Sequence, residues 1–130
     1  MTLCISSELH RRLLCEAAAT PDVEVCGLLI GTDSVERIIP AVNIADDPAT
    51  AFEIDPAALF QAIRTERNGG ERLLGYYHSH PTGPPTPSAF DRAQAKNDRR
   101  IWVIVGRQRM TAWQMTNANE FSEIKLQISD

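Results

Sequence analysis

Residues Val25–Gly31 read VCGLLIG, seven residues without a charged or amide side chain. The run is too short for a helix and is bounded by turn residues, so it predicts a buried strand. Ser34–Ile44 is rich in Val and Ile and predicts a second strand, with Thr32-Asp33 as the turn between them. Two apolar strands joined by so short a connection should pair antiparallel. This hairpin constrains whatever else the chain does, because the remaining elements must cover it.

Residues 2–5 suit a short opening strand. Ser6 or Ser7 can cap the following helix, since a hydroxyl satisfies an early free N–H. Leu9, Leu13, Leu14 and Ala17 recur at helical spacing, and Pro21 ends the pattern. Phe52–Ile54 suits a brief strand. Asp55-Pro56 is a strong helix start, with Leu59, Phe60 and Ile63 as the apolar stripe and Gly69-Gly70 as the stop. Leu73–His78 predicts a strand, 81–87 a proline-rich loop, and Ser88 to about Arg99 a third, less apolar helix. Ile101–Val105, Met110–Met115 and Phe121–Ile128 predict three closing strands, the first two joined by a tight turn at Gly106–Arg109. The order is mixed α/β with a largely antiparallel or mixed sheet.

At 130 residues the chain favours a single domain over 1–130. Such a length buries roughly two-thirds of its unfolded surface, enough for a core of its own. Net charge is −4 and no long basic block occurs, so charge predicts no nucleic-acid binding. Three cysteines, Cys4, Cys15 and Cys26, are an odd and sparse set that argues against a disulfide scaffold and for reduced thiols in a cytoplasm. No signal peptide is expected, and no apolar run approaches the roughly 20 residues of a membrane helix.

The chemistry concentrates in YYHSHPTGPPTPSAFD, residues 76–91. On a strand, His78 and His80 point to one face with Cα atoms about 6.6 Å apart, and Ser79 points the other way. Two imidazoles at that separation can converge on one ion with Zn–N bonds of about 2.0 Å. Three prolines in TGPPTP restrict the loop that follows, which suits a wall beside a site and equally a plain connector. Asp91 as third ligand would complete a His₂–carboxylate set and leave a fourth position open for water, the arrangement of catalytic zinc. Glu24, at the edge of the core, is the candidate general base, although spacing alone does not place it beside the histidines.

Each of these residues also has a plainer role. An isolated HxH is more often a hydrogen-bonded structural pair. Ser-x-x-Asp is itself a capping-box pattern at a helix start, and an Asp91 oxygen on a metal would not be free for the cap N–H. A glutamate at a strand start is usually solvated. Cys26 reads as a small buried apolar residue, and Trp102 and Trp113 as core. H-E-x-x-H, C-x-x-C and Gly-rich phosphate loops are absent from the sequence.

Taken together, Glu24 in EVCGLLIG, then His78-Ser-His80-Pro, six residues, Ser88, two residues and Asp91 resemble the JAMM (MPN-plus, JAB domain) metalloprotease signature. PDVEVCGLLIG, FEIDPAALFQAI, GYYHSHP and PSAFD come in that family's order, and the resemblance spans roughly residues 1–115. It implies a cytidine-deaminase-like three-layer α/β fold, a mixed, mostly antiparallel sheet flanked by helices. It implies one zinc per chain on His78, His80 and Asp91, Glu24 as the base that activates the zinc-bound water, and Ser88 as the oxyanion donor. It implies a zinc metallo-isopeptidase or peptidase acting at the C-terminal glycine of a ubiquitin-like or sulfur-carrier protein, the near-minimal length favouring the compact prokaryote-type branch. The alternative within the family is a non-catalytic scaffold that has lost zinc ligands; here all five signature positions are present. An exposed edge strand near the C-terminus would offer a route to a homodimer.

Overall fold

A computed structural model describes residues 1–95, 98–116 and 120–130. The elements run β1 (Thr2–Ser6), α1 (Ser7–Ala19), β2 (Cys26–Gly31), β3 (Ser34–Ala41), α2 (Pro56–Arg67), β4 (Leu73–Ser79), α3 (Ala89–Gln94), β5 (Ile101–Val105), β6 (Met110–Met115) and β7 (Phe121–Ser129). The strands form one sheet in the order β1-β3-β2-β4-β5-β6-β7. Four neighbouring pairs, β2–β3, β2–β4, β5–β6 and β6–β7, are antiparallel. The other three, β1–β3, β1–β7 and β4–β5, are parallel, so the sheet is mixed and mostly antiparallel as expected.

Helix α1 starts where Ser6 accepts the Leu9 N–H at 3.1 Å. It buries Leu13 completely, and it touches β1, β3, β5 and β7, strands from both ends of the sheet order. The helix therefore lies against the concave side of a curled sheet, in a core with Leu3, Ile5, Leu29, Tyr77, Val103 and Ile124. Burying one leucine of this kind contributes about 2 kcal/mol. Asp55 caps α2 by accepting the Ala57 N–H at 3.1 Å, with Pro56 in the first turn. The opposite face of the sheet carries Leu28, Ile30 and Trp102, covered by Ala62 of α2 and by Phe52 and Ile54. Helix, sheet and helix make the three expected layers.

Some expectations need correction. The edge strand foreseen near the C-terminus is not exposed. β7 pairs with β6 through Phe121–Ile124 and with β1 through Lys125–Ser129, which closes the sheet on itself and removes that edge. Phe52–Ile54 is not a strand; only Ile54 forms a single bridge, to Asn43, and β3 stops at Ala41 rather than Ile44. The third helix ends at Gln94 instead of about Arg99, because Ala95 is already extended; residues 96 and 97 of that predicted stretch lie outside the described residues. It has too few apolar positions to hold a longer helix on the sheet. Cys26 and Trp102 are buried as expected, whereas Trp113 is half-buried. No helix among the described residues is long and apolar enough to cross a membrane.

Candidate metal centre and active site

His78 lies near the C-terminal end of β4, and His80 is the first residue past it, its N–H donating to the Val105 carbonyl at 2.9 Å. His78 is fully buried on the face that holds Phe52 and Trp102, and His80 is 8% exposed. The Phe52 ring lies on the His78 ring at 4.1 Å between centroids and 16° between planes, and Trp102 meets it edge-on at 5.6 Å. Ser79 points away, as alternation requires, and its hydroxyl accepts the Val25 N–H at 2.9 Å.

Asp91 reaches the histidines from α3. Its Oδ2 lies 3.2 Å from His78 Nε2 and 3.1 Å from His80 Nε2, and the two Nε2 atoms are 3.1 Å apart. Ser88 caps the helix: its hydroxyl accepts the Asp91 N–H at 3.0 Å, and its own N–H donates to Asp91 Oδ2 at 2.9 Å. The oxygen that faces the histidines is thus the same one that closes the capping box. A carboxylate oxygen has lone pairs in two directions, and the cap uses one of them.

The loop 81–87 is a built wall. His80 Nδ1 lies 2.9 Å from the Pro84 carbonyl oxygen, and Thr111 donates to the Pro85 carbonyl. A carbonyl only accepts, so His80 carries its proton on Nδ1 and, when neutral, turns a bare Nε2 lone pair towards Asp91 and His78.

Glu24 arrives from the other direction. β2 pairs antiparallel to β4 with Cys26 opposite His78, and the ladder continues with Ser79 N–H donating to the Val25 carbonyl at 2.9 Å. The next position back, Glu24, therefore comes level with His80. One ligand atom each from Glu24, His78 and His80 lies within 4.8 Å of the others. Asp91 Oδ2, at 3.2 and 3.1 Å from the two rings, forms one triangle with His78 and His80, and Glu24 forms a second with the same histidines. Glu24 is 6% exposed, and its Oε1 meets no hydrogen-bond partner among the described residues.

The charges follow from burial. Burial pushes the Glu24 carboxyl up to about 7, against the pull of His80 and with the Asp91 charge adding to the rise. Burial pushes His78 down more than Asp91 raises it. For His80 burial is outweighed by its bonds to Asp91 and to the Pro84 carbonyl, and the ring is raised. Burial would raise Asp91, but the two histidines and the Ser88 N–H hold it well below the usual carboxylate range.

This donor set fits a divalent zinc ion. Donors bound tetrahedrally at about 2.0 Å are separated by about 3.3 Å, close to the observed sides of the triangle. Three electron-rich atoms around one point also need positive charge among them, a proton or a metal ion. Two imidazoles and one carboxylate are borderline donors suited to zinc.

Sequence reasoning found five residues, Glu24, His78, His80, Ser88 and Asp91, and the structure brings all five together. It missed the parts played by Phe52 and Asn43. Asn43 Nδ2 donates to the Glu24 carbonyl at 2.8 Å and the Ala51 carbonyl at 3.0 Å. Its Oδ1 accepts the N–H groups of Ala45 and Glu53, both at 3.0 Å. No local signal marks an Asn in AVNIADD as such a hub. A cavity of about 440 Å³, lined by Phe52, Ile54, Leu59, Tyr76 and Trp102 with Glu53 and Asp98 among its polar residues, adjoins His78 through Phe52 and Trp102.

Known proteins share this frame. The chain is 34% identical over 116 residues to the desampylase of Haloferax volcanii, covering 86% of this chain and 83% of that one. It is 38% identical over 103 residues to a probable TtuB-protein conjugate cleaving protease of Thermus thermophilus, covering 79% and 69%. The solution structure of a Desulfitobacterium hafniense protein matches with a TM-score of 0.83 at 26% identity over 98% of this chain and 93% of that one. A crystal structure of a JAB1/MPN domain protein from Archaeoglobus fulgidus shares the fold, with a TM-score of 0.62 at 18% identity over 98% and 97% of the two chains. The model of the prokaryotic homologs of the JAB domain matches residues 6–116, and the chain belongs to that family.

Proposed function

We propose that the protein is a zinc-dependent isopeptidase or peptidase that cleaves after the C-terminal glycine of a ubiquitin-like or sulfur-carrier protein. The observation that carries this reading is the triangle of His78, His80 and Asp91 with an unpartnered, buried glutamate at its side. The relatives named desampylase and TtuB-protein conjugate cleaving protease support the substrate class.

His78 Nε2, His80 Nε2 and Asp91 Oδ2 are the ligands in this reading. Zinc held there would supply a Lewis acid able to polarise a carbonyl and lower the pKa of water. Glu24 accepts a proton from the attacking water and delivers it to the departing amine. Glu24 Oε1 meets no hydrogen-bond partner among the described residues, so its lone pairs are available for a proton. The Ser88 oxygen spends a lone pair on the Asp91 N–H and keeps its O–H to donate to the oxyanion. The closed β7 edge gives no support to a homodimer through that strand.

Elemental mass spectrometry on the purified protein tests the metal, and a glycine-linked conjugate of a ubiquitin-like protein tests the reaction. One zinc per chain, lost in His80→Ala together with cleavage, is the expected result. A folded, chelator-free wild type without zinc, inert towards conjugates, would instead favour the scaffold alternative.

A further inference from the structure

Glu24 and His78 share an unusual property: neither is oriented by a hydrogen bond at its free polar atom. Glu24 Oε1 and His78 Nδ1 are both buried and without a partner among the described residues. Metal-binding histidines almost always donate their second nitrogen to an acceptor that fixes the ring. Here the ring is fixed by the Phe52 stack and the Trp102 edge. Glu24 is fixed through its backbone, by its N–H donating to the Pro48 carbonyl at 2.7 Å and its carbonyl accepting from Asn43 at 2.8 Å.

Both devices converge on Asn43. Its amide nitrogen holds Glu24 and Ala51, and its amide oxygen holds Ala45 and Glu53. Ala51 and Glu53 are the two neighbours of Phe52, so one half-buried side chain clamps the backbone on both sides of the ring that supports His78. All four of its hydrogen bonds go to main-chain groups, and each is at or near 3.0 Å, which leaves the side chain a single orientation.

We propose that Asn43 is a positioning residue of the hydrolytic site: its amide sets the placement of the base Glu24 and, through Phe52, the orientation of the zinc ligand His78. This rests on the hydrolase reading above. The two ends of the amide divide the work: the nitrogen holds Glu24 and the Ala51 side of Phe52, and the oxygen holds the Glu53 side. Asn43→Asp keeps the oxygen that accepts from Ala45 and Glu53 but loses the donors to Glu24 and Ala51. Asn43→Ala loses both.

The test measures kcat, KM and zinc affinity by chelator competition for the wild type, both variants and Thr50→Ala. Thr50 lies in the same loop, and its hydroxyl bonds only the exposed Asp47 carboxylate, so it controls for loop loosening. Outer partners of metal ligands typically change affinity or activity about 10–100-fold. Asn43→Asp is expected to lose at least about 10-fold in kcat with KM and zinc affinity within about 3-fold. Asn43→Ala is expected to lose as much kcat and, in addition, to bind zinc about 10-fold more weakly, with Thr50→Ala unchanged in all three. Should Asn43→Ala fail to fold, Asn43→Asp carries the test alone through its kcat. Variants matching a wild type that binds zinc and cleaves would overturn the role of Asn43 only, as would an equal loss of kcat in Thr50→Ala. A wild type that does neither would overturn the hydrolase reading and this inference with it.

Discussion

His80 donates its Nδ1 proton to the carbonyl of Pro84 at 2.9 Å, so a loop of four residues selects the tautomer of the histidine that precedes it. The ring then presents Nε2 to Asp91 and His78 without waiting for a partner to arrive. Nitrogen-15 NMR of the zinc-loaded protein should show a proton on His80 Nδ1 and coordination at Nε2. Coordination through Nδ1 would contradict the assignment.

Glu24→Gln keeps the shape of the site and removes the proposed base. It should retain one zinc per chain and lose about 10²–10⁴-fold in kcat, the usual worth of general acid–base catalysis. Near-normal turnover in that variant would exclude Glu24 as the base.

The same substitution should stabilise the zinc-free protein. Glu24 has a folded pKa of about 7 against an ordinary 4.5, so the fold favours the protonated form. That contribution is fully present below pH 4.5 and is lost as pH rises through about 7. The full shift corresponds to at most about 3 kcal/mol. Screening by water at the site mouth reduces this to about 1–2 kcal/mol. In chelator, urea denaturation should find Glu24→Gln equal to wild type near pH 4.5 and more stable by that amount at pH 8. A pH-independent difference would contradict the raised pKa.

Ser88 caps α3 and, in the proposed mechanism, donates to the oxyanion; two substitutions separate these roles. Alanine removes both the helix cap and the hydroxyl donor, whereas glycine removes the donor and is itself tolerated at a cap. Both variants should lose about 10²-fold in kcat, as when one oxyanion donor is deleted. Only Ser88→Ala should also lose about 1 kcal/mol of stability. A kcat loss that tracked stability would leave Ser88 with the cap alone.

Gly27 allows β2 to pass beneath the Tyr77 ring. A Cβ there would lie 2.4 and 2.6 Å from two Tyr77 ring carbons and 2.5 Å from the Ile39 carbonyl oxygen. Tyr77 is fully buried and tied to both Glu16 carboxylate oxygens at 2.9 and 3.0 Å, so the ring cannot yield. Gly27→Ala should cost about 3 kcal/mol in thermal or urea unfolding. Because Cys26 is paired with His78, zinc affinity should fall with it.

Much of the molecule is readable from local pattern. The i, i+2 spacing of His78 and His80 put both rings on one face because a strand alternates, and Ser88 to Asp91 is a capping box whose geometry is set within four residues. The Asp55-Pro56 start of α2 and the capped start of α1 are equally local. What only the tertiary structure decided is non-local. Glu24 reaches His80 because β2 and β4 pair in one register, with Cys26 opposite His78 across a separation in sequence that no spacing rule spans. A slip of one residue would turn Glu24 to the other face, and that register is chosen by the whole buried sheet rather than by either strand. Phe52 and Asn43 belong to a segment whose only regular pairing among the described residues is the single Asn43–Ile54 bridge, and its shape depends on side-chain as well as main-chain bonds to residues apart in sequence. The closure of β7 onto β1 is of the same kind, since a strand's own residues do not record which partner will cover its edge.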